Sequence, residues 1–450
     1  MKNTKLSKYW DTLLSSYWFL PSLILIAAIA LALTMLYLDR TGKPGITNLW
    51  WLYTGGPDGA RSALSAIAGS VITVAGTAFS ITIVALQLAA SNFGPRLLRT
   101  FMKDIGNQIV LGILIGTFIY CVLILRTIRG ENYSPFVPQM SVTVGVVLAV
   151  LSTGVLVYFI HHASTIIQVS QVITNVSDDL DRAIDRLFPE RIGQSLPDAP
   201  RQITEIPHEF EQRSASIKAT QKGYLQAIDQ EKLMKVACRA DVLLCLKTRP
   251  GKYGVPGTPL VLVYPPEYNS EKLAQQIKQA FIFGKERTEQ QDIAFPIEQL
   301  VEIALRAISP AVNDPFTAIR CIDRLSAGLS QLAQRTFPSP YRYDDQHTLR
   351  IIAEPTTFEF LVDRAFNQIR QYAQSDAAVT IRLLEAIALI ATYTKTPKQR
   401  TALRHHADMI RRGSQTGLTE ECDRKDVEQH YQQALAALDP KDTKFELRQL

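Results

Sequence analysis

A stretch of 34 consecutive residues between Arg61 and Arg96 contains no Asp, Glu, Lys, Arg or His. About 20 apolar residues are enough to cross the hydrocarbon core of a bilayer as a helix. The stretch therefore predicts a membrane-spanning helix over about residues 63–90, with residues to spare at its ends. We expect the chain to be an integral membrane protein.

The same stretch differs from a simple lipid anchor because Ser, Thr, Gly and Ala outnumber the large aliphatic residues. Five small residues follow one another at steps of four, four, three and four, which places them on one helix face. They are Ser65, Gly69, Thr73, Gly76 and Ser80. Such a face lets a neighbouring helix approach closely, and it also suits the lining of a neutral pore. Close packing is the more common use, and pore lining is the alternative.

Three further segments meet the length and charge criteria for a transmembrane helix, so residues 1–162 are predicted to form a membrane region with four spans. These segments are residues 17–38, 108–125 and 139–160. Four spans place both termini on one side. Lys and Arg number six on that side and five in the opposite loops, and the four cysteines of the C-terminal region have no disulfide-like spacing. We therefore expect a bacterial inner-membrane protein with both termini in the cytoplasm.

Residues 163–190 are predicted to form a juxtamembrane amphipathic helix. Apolar residues recur there at steps of three and four through three heptads, with acidic and basic residues on the flanks. This stripe either bundles several protomers below the bilayer or packs on the protein's own soluble domain. Residues 191–212 contain several prolines among polar residues and are predicted to be a linker.

Two cytoplasmic modules are predicted after the linker. Residues 213–266 form a small β-rich module, in which VLLCLK and PLVLVY are strands on either side of the dense turn RPGKYGVPGTP. Residues 271–450 form a helical module, with helical periodicity throughout. The predicted fold class is mainly α, with a four-helix transmembrane region followed by a cytoplasmic α+β region.

The densest polar segment of the chain is residues 285–292. Its side chains Arg287, Gln291 and Asp292 are candidates for holding an anionic ligand or a metal ion. The structural interpretation is that Thr288 and Gln291 form the T-x-x-Q capping box of the next helix. The sequence favours the capping box because it accounts for two of these positions.

A second polar cluster occupies residues 309–318. There Asp314 is a natural N-cap and Pro315 fits the first position of a helix, which predicts a tight helix–helix corner. The functional alternative is a polar pocket in which this corner meets the first cluster in space. Its candidate residues are Asn313, Asp314 and Thr317.

Several function classes lack support in the sequence. The net charge of +6 on 450 residues is mild and gives no reason to expect a nucleic-acid partner. No catalytic motif, metal-ligand spacing or cofactor fingerprint occurs, so we predict no catalytic residue, no metal ion and no cofactor. The predicted spans hold no charged side chain, which argues against an ion-coupled transporter.

Four segments together resemble the bacterial predicted membrane protein family, domain of unknown function 2254. They are FSITIVALQLAASNFGPRLLRTFMKD, GYLQAID, RPGKYGVPGTPL and RTEQQDIAFPIEQLVEIALRAISPAVNDPFTA. The resemblance covers nearly the whole chain in the same order. It implies a multi-pass inner-membrane protein with a cytoplasmic C-terminal region, and it carries no catalytic or binding residue.

Two functions follow as hypotheses. The first is a homo-oligomeric channel or channel-like protein with the second span near the central axis, because this span ends in SNFGP and turns into the basic segment RLLRTFMKD. The second is a membrane-anchored sensory or scaffolding protein whose cytoplasmic modules bind a ligand or a partner. The lipid bilayer and further copies of the chain are the expected partners in the first hypothesis. The identity of a small-molecule or protein partner in the second stays open.

Overall fold

The computed structural model describes residues 18–41, 52–93, 104–129, 136–166, 168–188 and 206–439. The chain divides into two compact units, Met1–Val172 and Ile173–Leu450. The predicted Gly-Pro break after the second span, the basic segment 96–103 and residues 191–205 of the predicted linker lie outside the described residues.

Four long apolar helices make up the described part of the first unit, as the sequence predicts. They are α1 (Phe19–Thr41), α2 (Pro57–Phe93), α3 (Ile105–Leu125) and α4 (Gln139–Ile166). Each is long and apolar enough to cross a membrane. α2 begins several residues before the predicted span, with Pro57 in the first turn, where a proline is tolerated.

Glycines set the distance between α1 and α3. A Cβ atom added at Gly112 would lie 2.7 Å from the Cδ1 atom of Ile24, and one added at Gly116 would lie 3.2 Å from the Cβ atom of Ala28. The two helices therefore pack at a distance that only small residues permit. α2 packs in the same unit through a separate buried face, consisting of Ala60, Leu64, Ala68, Val71, Ala75 and Ala78.

Polar contacts join the helix ends of the first unit. At one end, the Asp39 carboxylate accepts hydrogen bonds from the backbone N–H groups of Met140 and Ser141, at 3.1 and 3.0 Å. At the other end, the Asp104 Oδ1 atom lies 2.8 Å from the His162 Nε2 atom. Asp39 lies at the first turn of α4, and Asp104 lies at the first turn of α3. At such positions a carboxylate can satisfy backbone N–H groups that have no partner within the helix.

The second unit combines short strands with helices. Its described helices are α5 (Val169–Leu187, which begins at the end of the first unit), α6 (Phe210–Arg213), α7 (Gln230–Ala240), α8 (Glu271–Lys278), α9 (Ala294–Ala307), α10 (Pro315–Gln334), α11 (Phe358–Tyr372), α12 (Ala377–Thr392), α13 (Pro397–Gly417) and α14 (Glu421–Leu438). Its described strands are β1 (Ala215–Lys218), β2 (Gly223–Ile228), β3 (Leu243–Leu246), β4 (Tyr253–Gly254), β5 (Pro259–Tyr264), β6 (Phe281–Gly284), β7 (Tyr341–Tyr343) and β8 (Leu349–Ile352).

The strands form two sheets. The larger sheet has the order β1-β5-β3-β8-β7 and is antiparallel except for the parallel pair β3 and β8. The smaller sheet has the order β4-β2-β6 and is antiparallel. Strands β6, β7 and β8 were not predicted, because residues 271–450 were assigned to helices. Strands of three or four residues are too short to show alternation. The fold is mainly α with small sheets, which agrees with the predicted class.

The amphipathic stripe of α5 packs on the protein's own second unit. Ile173, Val176, Leu180 and Ile184 are buried, and a Cβ atom added at Gly328 of α10 would lie 2.6 Å from the Leu180 Cδ2 atom. This contact corresponds to the second of the two uses that the sequence left open. The described part of the stripe is covered within one protomer.

Candidate functional site

The five small residues predicted on α2 all lie on the surface of the protomer. Ser65, Gly69, Thr73, Gly76 and Ser80 are each exposed. A Cβ atom added at Gly69 or Gly76 would meet no described atom within 4 Å. We call these five residues the small-residue face. The helix packs within its own unit through other positions, so the described residues leave this face uncovered.

Two hydroxyl groups of the small-residue face, those of Thr73 and Ser80, are satisfied within α2 itself. Thr73 Oγ1 donates to the carbonyl oxygen of Gly69 at 2.8 Å, and Ser80 Oγ donates to that of Gly76 at 3.0 Å. Such bonds to the preceding turn let a hydroxyl lie in apolar surroundings without an unsatisfied donor. The face can therefore lie against another helix, and its hydroxyl oxygens can also accept hydrogen bonds from water.

Other exposed positions in the first unit carry large apolar side chains. α1 exposes Leu23, Ile26 and Leu33, and α4 exposes Val147, Val150 and Ile160. α2 also exposes the large residues Ile72 and Val84, which lie three or four positions from Gly69, Gly76 and Ser80 and therefore flank the small-residue face. Large apolar side chains are typical of contact with lipid tails, and the small residues form a narrow stripe between them.

In the second unit, Arg287 lies at the centre of a half-buried group of charges. Its Nη2 and Nε atoms donate to Asp292 Oδ2 at 2.6 and 2.9 Å, and its Nη1 atom donates to the Glu298 carboxylate. The side chains of Arg287 and Asp292 are 14% and 7% exposed. Arg364 reaches the second oxygen of Glu298 at 3.5 Å. We call these four residues the Arg287 cluster.

The electrostatics of the Arg287 cluster follow from burial. Burial raises the pKa of Asp292 above its ordinary value, and the nearby Arg287 opposes that change. Burial also acts to lower the pKa of Arg287, but the carboxylates of Asp292 and Glu298 outweigh it, and the net result is a raised pKa. The guanidinium therefore stays charged and holds both carboxylates.

A cavity of about 150 Å³ adjoins the Arg287 cluster. One side of it is a tight turn in which Gly251 has a φ angle of +89° and approaches Asp292 so closely that a Cβ atom would lie 2.2 Å from Oδ2. Glycine is required there by both the conformation and the space. The guanidinium of Arg249, from the same turn, lies 4.0 Å from the ring centroid of Phe360, a favourable cation–π distance.

A second cavity, of about 240 Å³, shares part of its wall with the first, including Arg249 and Gln291. Its surface is mostly apolar, with Arg249 and Arg342 as its cationic groups. We call it the Arg342 cavity. Its lining includes Leu233, Met234, Leu246, Arg249, Arg342 and Ile351.

Gln291 plays a different structural role from the one that the sequence predicts. Its Oε1 atom accepts from the backbone N–H of Ile228 at 2.9 Å, and its Nε2 atom donates to the carbonyl of Ile228 at 3.2 Å. The next helix begins at Ala294 without a side-chain cap. The predicted capping box of Thr288 and Gln291 is therefore wrong, because the glutamine amide pairs with the end of β2 instead.

The second predicted cluster is a helix corner. Asp314 caps α10, since its carboxylate accepts from Thr317 N at 3.1 Å and from Thr317 Oγ1 at 2.6 Å, which confirms the predicted N-cap. Asn313 has a φ angle of +51°, in the left-handed region that asparagine tolerates. Among the described residues, no hydrogen bond or ion pair joins this corner to the Arg287 cluster.

The sequence did not single out four of the charged residues around these cavities. Arg249, Glu298, Arg342 and Arg364 come from separate segments that only the fold brings together. The sequence indicated a dense turn around Arg249, but it gave no indication of a functional site there. Within the described ranges, no group of three or more His, Cys, Asp or Glu is placed to hold a metal ion.

Comparison with known proteins agrees with this architecture of four apolar helices followed by a region of small sheets and helices. Residues 14–389 match the family described as Predicted membrane protein (DUF2254). The chain is 34% identical over 379 residues to an uncharacterized protein of Mycobacterium bovis and to one of Mycobacterium tuberculosis H37Rv, with 83% of this chain and 71% of each relative covered. The chain belongs to this family of membrane proteins, and the predicted resemblance is confirmed. No solved structure matches it.

Proposed function

We propose that the protein is a homo-oligomeric, channel-like protein of the bacterial inner membrane, in which the small-residue face of each protomer meets other copies near a shared axis. The observation that carries this proposal is that all five residues of the face are exposed in the protomer. Membrane helices associate through small residues because these let backbones approach closely.

The polarity of the face extends the proposal from association to conduction. A pore needs groups that can hydrogen-bond to water or to a partly dehydrated ion. The face offers hydroxyl oxygens, such as those of Thr73 and Ser80, and carries no charge. A neutral lining of this kind suits a passive pathway better than a coupled pump.

The proposed topology places both termini and the second unit in the cytoplasm. Two observations support it: the small excess of Lys and Arg on the N-terminal side and the free cysteines of the second unit, of which Cys238 and Cys422 are exposed. Exposed free thiols are ordinary in a reducing compartment.

A matched pair of glycines tests the proposal. Gly76 on α2 and Gly154 on α4 are both exposed, and an added Cβ atom meets no described atom within 4 Å at either position. We expect Gly76→Leu to break the oligomer of the full-length protein in nanodiscs into smaller species, as measured by mass photometry. Gly154→Leu should leave the wild-type mass unchanged. A wild-type monomer, or equal behaviour of the two variants, would contradict the proposal.

Conductance forms the second part of this test. In planar bilayers, the wild-type oligomer should pass ions, and Ser80→Arg should reduce or rectify that current because it places a charge on the axis. An oligomer that conducts no ions would support association through α2 and would contradict the channel function.

A second candidate function is a membrane-anchored sensor, and the paired cavities around Arg249 favour it. In that case the second unit binds a ligand and the membrane unit responds or only anchors. Truncation after residue 172, where the first unit ends, should then leave an inserted membrane unit whose oligomeric state or conductance no longer changes with ligand. A truncated protein that keeps the ligand response would contradict this function.

A further inference from the structure

Arg342 has no carboxylate partner among the residues that the structure describes, unlike Arg350 nearby. Its guanidinium donates to the backbone carbonyl of Ser339 and, at 3.4 Å, to that of Tyr341. Among the described residues, no carboxylate forms an ion pair with it, whereas Arg350 on the next strand binds two. A partly buried guanidinium without a carboxylate is costly, so its environment is suited to an anion.

Most of the wall around Arg342 is apolar. Leu233, Met234, Leu246 and Ile351 form the apolar side of the cavity. Four prolines also line it: Pro250, Pro338, Pro340 and Pro355. Because proline fixes its φ angle, the backbone has less freedom at these four positions. Burial among these groups lowers the pKa of Arg342, but a guanidinium remains protonated in proteins.

The charge balance of the cavity is positive. Arg249 and Arg342 both line it, and the carboxylate that lines it, Glu354, is held by Lys252 at 2.7 Å and lies 3.9 Å from Arg249. Glu354 is therefore shared between Lys252 and Arg249, and it does not neutralise Arg342. A ligand with a negative charge and an apolar body complements both parts of the cavity.

We propose that the Arg342 cavity binds a small amphipathic anion, with its carboxylate or phosphate at Arg342 and its alkyl chain along Leu233, Met234 and Leu246. An apolar cavity of about 150 Å³ accepts a benzene molecule, so one of about 240 Å³ holds about ten carbon atoms. Free medium-chain carboxylates and alkyl phosphates share this chemistry. The site goes beyond the proposed function and does not depend on the small-residue face.

The test uses full-length protein in nanodiscs and a decanoate analogue with a photoreactive group near the end of its chain. After illumination, mass spectrometry should locate the label on peptides that contain Leu233 and Met234 or Leu246. Excess decanoate or decyl phosphate should remove this label, and the stronger of the two competitors identifies the preferred head group. Acetate, which lacks the chain, and decyltrimethylammonium, which has the opposite charge, should compete at least about tenfold less well.

Variants separate the cavity from unspecific partition into the lipid. Arg342→Gln should weaken labelling at least about tenfold because it removes the charge-assisted hydrogen bond, and Arg342→Lys should restore part of it. Met234→Trp should block labelling by filling the apolar end. Arg213→Gln, at an arginine whose side chain is 60% exposed, should label like the wild type.

Three results would overturn the proposal. One is wild-type protein without label on the cavity peptides. Another is equal competition by the cationic amphiphile. The third is labelling that Arg342→Gln and Met234→Trp both leave unchanged, with thermal unfolding showing that the variants are folded.

Discussion

The two units of this protein place their polar groups in opposite ways. In the first unit, a row of Ser, Thr and Gly residues on α2 faces out of the protomer, and the hydroxyls of Thr73 and Ser80 bond to their own helix. In the second unit, charged groups such as Arg287 and Asp292 turn inward and bond to one another. Each arrangement suits its surroundings, because a small hydroxyl is tolerated in a membrane whereas a charge needs water or a partner.

The two proposals made above for this protein rest on that difference. A small, polar face on a membrane helix lets a neighbouring helix approach closely, which is why we propose association through the first unit. The second unit pairs charges such as Arg287 and Asp292 internally and leaves Arg342 beside a cavity without a carboxylate partner among the described residues, which is why we propose ligand binding there.

The largest effect is expected where a paired charge is removed from the second unit. Arg287→Gln leaves Asp292 and Glu298 without their shared guanidinium and should cost about 3–5 kcal/mol of unfolding free energy. Thermal unfolding of the full-length protein should show a midpoint lower by roughly 10 °C for the second unit.

Arg342→Gln is the matched control for that change, because within the described ranges the hydrogen bonds of Arg342 go to backbone carbonyls. It should shift the free energy by about 1 kcal/mol or less. Equal destabilisation by both variants would show that internal pairing of charges is not what distinguishes the second unit.

A moderate effect is expected where a small residue in the first unit is already in contact. Gly112→Leu places side-chain atoms where Ile24 and the backbone of Pro21 lie, at 2.7 and 3.2 Å from a Cβ atom. Overpacking of this kind costs about 1–3 kcal/mol. The melting temperature of the membrane unit in detergent should fall for this variant and stay near the wild-type value for Gly154→Leu. If Gly154→Leu lowers the melting temperature equally, the exposed positions do not accept a larger side chain within the protomer.

The smallest expected effect is the pH dependence of the stability of the second unit. His406 is buried, its Nε2 atom lies 2.9 Å from Asp363 Oδ1, and its Nδ1 atom has no partner among the described residues. Burial lowers its pKa, although Asp363 opposes the change.

Between that lowered pKa and the ordinary value near 6.5, the unfolded chain therefore binds more protons than the native protein, and stability rises with pH. The melting temperature of the second unit should fall as pH drops from about 7.5 through this window. His406→Gln should flatten the dependence, and an unchanged slope would show that other groups cause it.

The sequence predicted most of the first unit because membrane spans are long and their composition is distinctive. The small-residue face was found for the same reason, since helical spacing alone places Ser65 and Ser80 on one side. The sequence did not show whether that face is covered, because this depends on which other face of α2 packs inward. In so apolar a helix, the sequence does not distinguish the buried positions Leu64 and Val71 from exposed apolar positions.

The second unit was less predictable because its sites are assembled from distant segments. Arg249, Arg287 and Arg342 lie far apart in the chain and meet around two adjoining cavities only through the sheets and the turns between them. The capping box failed for a related reason: Gln291 has a better partner in β2, more than 60 residues earlier. Local sequence patterns predict local hydrogen bonds. A long-range hydrogen bond replaces the local one where the fold supplies a better partner.

The most direct test of the small-residue face is a disulfide between copies of the chain. Thr73 and Thr153 are both exposed, and each hydroxyl bonds to the carbonyl of the residue four positions earlier. In a variant without the five native cysteines, mild oxidation of intact membranes should link chains carrying Thr73→Cys and leave chains carrying Thr153→Cys as single chains. Cross-linking at Thr153 alone, or at neither position in protein shown to be inserted, would contradict association through α2.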